Sequence, residues 1–212
     1  ALYQKCHQLE LWAGSQGSEV HFFLIDAQRF AQGETALKWS EDDGATAQHS
    51  LLLDEFYRTA IWLAGRTPLG WWVPVCEEAR YAEFASALQA QCVISADEVI
   101  DLGHLAHIAP SEFLGAGLRQ LFKGIESPYK SVLKLLLIEV YASEHPQVNC
   151  LSLGFKRAVY SNQLDLDELD PYVMVYRRIE DYLRACGDVQ RLELVRRSLY
   201  LKVNRKLTRH AT

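Results

Sequence analysis

The side chains best suited to chemistry are basic. Lys130 and Lys134 stand four apart, so they share one face of a helix, and Lys123 precedes Lys130 by seven residues. Arg58 and Arg66 flank the end of an earlier amphipathic segment. Such a set offers anion binding by charge-assisted hydrogen bonds. The competing reading of the lysines is a solvated face. For Arg58 it is a surface ion pair with Asp54, four residues earlier, worth tenths of a kcal/mol. Other arrangements are weaker. His104 and His107 are spaced as a helical metal pair, but no third ligand is near and Pro110 follows. Asp165-x-Asp167 has the letters of a metal-binding pair, yet it sits in a polar stretch before Pro171 and reads better as a helix cap. The five cysteines, Cys6, Cys76, Cys92, Cys150 and Cys186, are dispersed and form no C-x-x-C pair, which points to reduced, mostly buried thiols rather than disulfides or zinc. No nucleophile elbow and no glycine-rich phosphate loop is present.

These residues need elements to hold them. The 212 residues are 49% hydrophobic and 23% charged with 6 prolines, the composition of a globular chain with a real core. A net charge of −5 argues against nucleic acid as a partner. No apolar run reaches the ~18 residues of a membrane span, and Ala1–Gly14 has no signal-peptide pattern. Periodicity predicts a helix over Tyr3–Ala13 with Cys6, Leu9 and Ala13 on one face, then a buried strand at Glu19–Asp26. Alternation puts Glu19 and Asp26 on opposite faces of that strand. Residues 31–48 read as a loop. A helix follows at His49–Ala64 with Leu52, Phe56, Thr59, Ala60 and Leu63 as its buried stripe, and Leu69–Val75 reads as a second strand ending at Pro74.

Beyond Cys76 the pattern is helical: Glu77–Gln91, Ser95–Leu102 with a capping box at Ser95 and Glu98, Pro110–Ile125, Pro128–Ser143, Leu153–Gln163, Pro171–Ala185 and Val189–Thr208. Pro128–Ser143 is apolar nearly all round and belongs at the centre of a bundle. The last helix carries Arg191, Arg196, Arg197, Lys202, Arg205, Lys206 and Arg209 behind a core face of Leu192, Val195, Leu199 and Val203. The expected fold class is therefore α+β, mostly α. A partial α/β region over 1–92 precedes an all-helical bundle over 93–212.

Two segments carry a resemblance: His49–Gly65 (HSLLLDEFYRTAIWLAG) and Glu112–Ala142 (EFLGAGLRQLFKGIESPYKSVLKLLLIEVYA). Together they resemble the class I adenylate cyclases of bacteria. Within E-Y-F-G-small-small-L-W-x-L-Y-K, the family's signature, Glu112, Gly115, Ala116, Leu118, Leu121 and Lys123 agree; Phe113, Leu114, Gly117, Arg119 and Phe122 depart. Ser127-Pro128-Tyr129-Lys130, Lys134 and Asp188–Leu207 also match, and the likeness runs from Tyr3 to Leu207, weaker over Asn149–Asp165. Small residues in Gly115-Ala116-Gly117 imply close helix packing, or less often a backbone approached by ligand.

The resemblance implies ATP as substrate, Mg²⁺ as cofactor, cyclic AMP and pyrophosphate as products and a cytoplasmic location. It also implies a nucleotidyltransferase-like site in which carboxylates hold two metal ions. Glu19, at the start of the first strand, corresponds to the family's third carboxylate and becomes the catalytic and metal-binding candidate, with Asp26 as the second metal candidate; an exposed strand-start residue is the plainer reading of Glu19. Arg58, Arg66, Lys123, Lys130 and Lys134 become candidates for phosphate contact. The Gly-Ser turn and D-x-D strand of the family are not in this sequence, which implies a piece of a larger enzyme, inactive alone, whose partners are the rest of the same polypeptide. Two alternatives stand beside this: a protein adenylyl- or uridylyl-transferase of the same superfamily, and a non-catalytic helical module binding through its basic last helix.

Overall fold

A computed structural model describes residues 1–18, 20–22, 24–31 and 49–203. In chain order the elements are α1 (Leu2–Ser15), α2 (Ala27–Ala31), α3 (His49–Thr59), β1 (Thr67–Pro68), 3₁₀ turns at Leu69–Trp71 and Val75–Arg80, α4 (Tyr81–Ala90), β2 (Val99–Ile100), α5 (Pro110–Lys123), α6 (Pro128–Glu144), α7 (Leu151–Tyr160), α8 (Leu166–Leu169), α9 (Pro171–Ala185) and α10 (Val189–Val203). The described part is α+β and mostly α. Its strand content is one short parallel pair, Thr67 opposite Val99 and Pro68 opposite Ile100.

The bundle matches the periodicity. α6 buries Leu133, Leu136, Leu137, Val140 and Tyr141 and packs against α5, α9 and α10. Proline opens α5, α6 and α9 in their first turns, where a missing N–H costs nothing. Asp165 caps α8 by accepting from Asp167 N (2.9 Å), and Asp170 caps α9 by accepting from Tyr172 N (2.8 Å) and Val173 N (3.1 Å). α10 turns Leu192 and Val195 into the core with Leu199 beside them. One apolar cluster runs from Phe30 of α2 through Leu53 and Tyr57 of α3 to Val195, and a smaller one gathers Leu69, Val73, Tyr81, Ala85, Ile94 and Val99.

Several expectations fail for local reasons. In Glu19–Asp26, Glu19 and Phe23 lie outside the described residues, and the others form no strand. The Phe22 N–H donates to the Glu10 carboxylate of α1 (2.9 Å), not to a neighbouring strand, and Asp26 starts α2. The expected strand Leu69–Val75 begins instead as a 3₁₀ turn, with Trp72 N donating to Leu69 O (2.9 Å). Adjacent Leu69 and Gly70 are both buried and Trp71 only partly, which is not the alternation of a strand. Gly70 permits the turn: a Cβ there would stand 2.3 Å from the Tyr57 hydroxyl. Ser95–Leu102 is no helix. Glu98 does accept from Ser95 N (3.2 Å), half of a capping box, but its carbonyl takes Thr67 N–H (2.9 Å) and the chain leaves as β2.

α3 ends at Thr59, five residues early, and Leu63 is exposed. Its buried face is Ser50, Leu53, Asp54, Tyr57 and Arg58 rather than the Leu52–Phe56–Leu63 stripe. In α1, Cys6 and Ala13 are buried but Leu9 is exposed. All five cysteines are free thiols, of which only Cys6 and Cys150 are buried, so the mostly-buried expectation is corrected. The loop read over 31–48, apart from Ala31 at the end of α2, and Arg205, Lys206 and Arg209 lie outside the described residues.

Candidate functional site

α3 organises the polar interior. Glu112, in the first turn of α5, is buried and reaches the N-terminus of α3, accepting from Ser50 N (2.8 Å), Ser50 Oγ (2.9 Å) and Leu51 N (3.2 Å). The carboxylate thus satisfies orphan donors and meets the positive end of the helix dipole. One turn on, buried Asp54 accepts from the Tyr141 hydroxyl (2.9 Å) and from Ser152 N (2.8 Å) at the start of α7. The same Tyr141 hydroxyl accepts from Leu151 N (2.9 Å). Burial, followed by the nearby Asp54 charge, pushes the Tyr141 hydroxyl well above its ordinary pKa, so it stays a donor.

A second buried group lies below it. Glu78 accepts from Leu105 N (2.9 Å) and from Lys156 Nζ (3.0 Å), both side chains almost fully enclosed. The Lys156 ammonium also lies over the Tyr57 ring, 5.9 Å from its centre. Tyr57 donates to Gly103 O (2.8 Å) and Tyr81 to Asp101 (2.9 Å). Burial raises both phenols above their ordinary values, aided by Asp101 and Glu78 and, for Tyr81, by Tyr57.

The structure brings three of the five basic candidates together around Glu55. Lys134 grips the Glu55 carboxylate with contacts of 2.8 Å to both oxygens, and Arg58 and Lys130 add their charges to it. Burial pulls Glu55 upward, but Lys134, then Arg58 and Lys130, outweigh it and hold the carboxyl below its ordinary value. Arg58 is not the surface ion pair expected for it: it is buried, Nη1 donates to Pro171 O (3.1 Å), and its Nε has no hydrogen-bond partner. Lys130 is exposed in the first turn of α6, and Lys123 is exposed at the end of α5. Arg66 is exposed in the loop before β1, where its charge acts on Asp97.

Of the carboxylate candidates, Glu19 lies outside the described residues. Asp26 is exposed and caps α2, accepting from Gln28 N (3.0 Å) and Arg29 N (3.1 Å). His104 stacks on Tyr81 and His107 lies near His145, neither on a helix. Among the described residues no three His, Cys, Asp or Glu side chains gather as a metal site. On the described part of α10, Arg191 binds Glu139 (2.7 Å) and Asp188 (2.6 Å), Arg196 binds Glu180 (3.2 Å) and Arg197 binds Glu193 (3.0 Å), so these charges are engaged within the fold. Glu55, Glu112, Glu78 and Lys156 were missed as organisers. For Glu112 a signal existed, since it opens the matched signature.

This arrangement of α3, α5 and α6 lies in segments that also match known proteins. Residues 1–72 match the family model described as adenylate cyclase NT domain, and residues 108–212 match the one described as adenylate cyclase, class-I, second domain. The adenylate cyclases of Salmonella typhimurium and Escherichia coli K12 are each 48% identical over 208 residues, and that of Yersinia intermedia is 46% identical. The alignments cover 98% of this chain and 24% of each relative, so the chain spans about a quarter of their length. No solved structure matches. The chain belongs to the class I adenylate cyclase family. No helix among the described residues is long and apolar enough to cross a membrane.

Proposed function

We propose that this chain is part of the catalytic region of an adenylate cyclase that converts ATP to 3′,5′-cyclic AMP and pyrophosphate in the cytoplasm, together with residues outside these 212. The observation that carries the reading is the match to both adenylate cyclase models, in order, with 46–48% identity over nearly the whole chain. In this reading residues 1–92 adjoin a nucleotidyltransferase-like sheet built elsewhere in the polypeptide, and 93–212 form the helical bundle that closes on the nucleotide. Lys123, Lys130, Lys134 and Arg66 reach phosphate oxygens. Arg58 holds the α3 end of the cluster from inside. Glu55 keeps Lys134 charged and aimed, and releases it when a phosphate arrives.

The described residues do not by themselves make a metal site. Glu19, with Asp26 in second place, remains the proposed contribution of this chain to Mg²⁺ held mainly by the missing carboxylates. That metal would neutralise the triphosphate and the leaving pyrophosphate. This chain alone then produces no cyclic AMP.

The test uses the full-length polypeptide. Lys130→Ala removes one exposed charge, so folding survives. A lost charge-assisted hydrogen bond of about 1.5–3 kcal/mol raises KM for Mg-ATP roughly 10- to 150-fold. Unchanged KM in both Lys130→Ala and Lys123→Ala removes these lysines from the site. Label from α-phosphate-labelled ATP appearing on protein instead of in cyclic AMP would replace the cyclase reading with protein nucleotidylation.

A further inference from the structure

Among the described residues, nothing packs on the outer face of α5. Leu114, Leu118, Leu121 and Phe122 of α5, with Ile125 in the turn that follows it, follow helical spacing and fall within one stripe, yet they are 69%, 60%, 62%, 74% and 81% exposed. The opposite face, Glu112, Phe113 and Ala116, is the one packed against the fold. Contiguous exposed apolar side chains of this size mark a contact surface. A second feature lies beside the stripe. Gly117 sits in mid-helix, where glycine costs stability against alanine, and a Cβ placed on it would meet nothing within 4 Å. Nothing in the described fold therefore requires a glycine there. The close packing expected from Gly115-Ala116-Gly117 is met on the inner side by buried Ala116 and is left unfilled at Gly117.

We infer that this face of α5 is a docking surface for an apolar helix of the same polypeptide, supplied from outside these 212 residues, which crosses α5 closely over Gly117. The relatives place about three quarters of their length outside the aligned segment, and the stripe lies inside the class I second-domain match. Ridge-into-groove packing at ~8–10 Å between axes uses a smooth point such as Gly117 flanked by large apolar ridges. The inference rests on the proposed membership of a longer cyclase, but not on its catalytic residues.

The experiment is maleimide labelling of full-length enzyme carrying Leu118→Cys, with Glu83→Cys on α4 as the exposed reference, each rate normalised to the same protein in urea and read by peptide mass mapping. The expected result is Leu118→Cys modified at least about tenfold more slowly than Glu83→Cys, independent of protein concentration. A second variant, Gly117→Gln, should restore fast labelling at Leu118→Cys while circular dichroism stays unchanged. Equal rates at the two cysteines overturn the inference. Protection that disappears on dilution also overturns it, by assigning the face to a second copy. Labelling needs no turnover, so failure of the cyclase reading in the cyclic AMP assay leaves this readout intact.

Discussion

Removing the ammonium from the Glu78–Lys156 pair is the sharpest test of how the interior is held. Glu78 projects from the 3₁₀ turn Val75–Arg80 and Lys156 from α7, and their side chains are 6% and 7% exposed at 3.0 Å. Lys156→Met fills similar space but leaves a buried carboxylate with Leu105 N–H as its only remaining hydrogen-bond donor among the contacts described above. Breaking a buried pair from one side costs about 3–5 kcal/mol. In a chain of this size each kcal/mol moves Tm by about 2–4 °C, so the drop should lie between about 6 and 20 °C. Lys156→Met combined with Glu78→Gln removes both charges and keeps an amide oxygen for Leu105 N–H. The double variant should therefore be more stable than Lys156→Met alone, a coupling that independent sites do not show. Urea and thermal unfolding followed by circular dichroism at pH 7 measure Lys156→Met, Glu78→Gln and the double variant. A loss below about 1 kcal/mol for Lys156→Met, or a double variant that simply sums the single losses, would refute the claim that desolvated charge drives the effect.

Glu112→Ala should cost about 1–3 kcal/mol, because the first-turn donors of α3 lose their acceptor inside the protein; amide exchange at Ser50 and Leu51 should quicken more than at α9, and uniform quickening would count against the cap. Gly70→Ala should destabilise by more than about 1 kcal/mol, since its Cβ collides with the Tyr57 ring, whereas Gly154→Ala, with open space on α7, should be neutral or stabilise by up to ~1 kcal/mol. Equal unfolding midpoints for the two would contradict the geometry. The Glu55–Lys134 pair gives a pH dependence of known sign. The folded carboxyl lies below its ordinary value of 4.5, so the stabilisation is present above that value and is lost as pH falls through the depressed folded one. The Glu55 side chain is 43% exposed, so solvent screening holds the pair to about 0.2–1 kcal/mol. The gap in Tm between the parent and Lys134→Met should close on going from pH 7 to pH 3, and a gap that widens would reverse the assignment.

The helical half was legible because its signals are local. Pro110, Pro128 and Pro171 open their helices, Asp165 and Asp170 cap theirs, and the apolar pattern of Leu133–Tyr141 turns inward. What misled was polarity read as exposure. Asp54 and Arg58 look like the solvent face of an amphipathic helix, and their burial depends on Tyr141, Ser152 and Pro171, which are about 90 residues or more away in sequence. The uninterrupted apolar run LGWWVPV likewise looked like a strand. Only the Tyr57 ring against Gly70 shows why the chain must turn there. Of the site, the lysine spacing was visible, but Glu55, the group that gathers Arg58, Lys130 and Lys134, became visible only in three dimensions.

The long-range polar contacts share one consequence. Glu112 ties α3 to α5, Asp54 ties it to α6 and α7, Arg58 to α9 and Glu55 to α6, so each turn of one short helix is bonded to a different part of the bundle. A surface helix needs only an apolar stripe to stay folded. A helix held at every turn by directional bonds has its rotation and its axial position fixed, which is what precise placement of charged side chains requires. Glu112 opens the matched signature in α5, and Asp54, Glu55 and Arg58 lie in the other matched segment. Substituting Glu112 or Asp54 should therefore lower both stability and any cyclase activity, whereas substituting exposed Lys130 should lower activity alone. That contrast separates residues that hold the cluster from residues that use it.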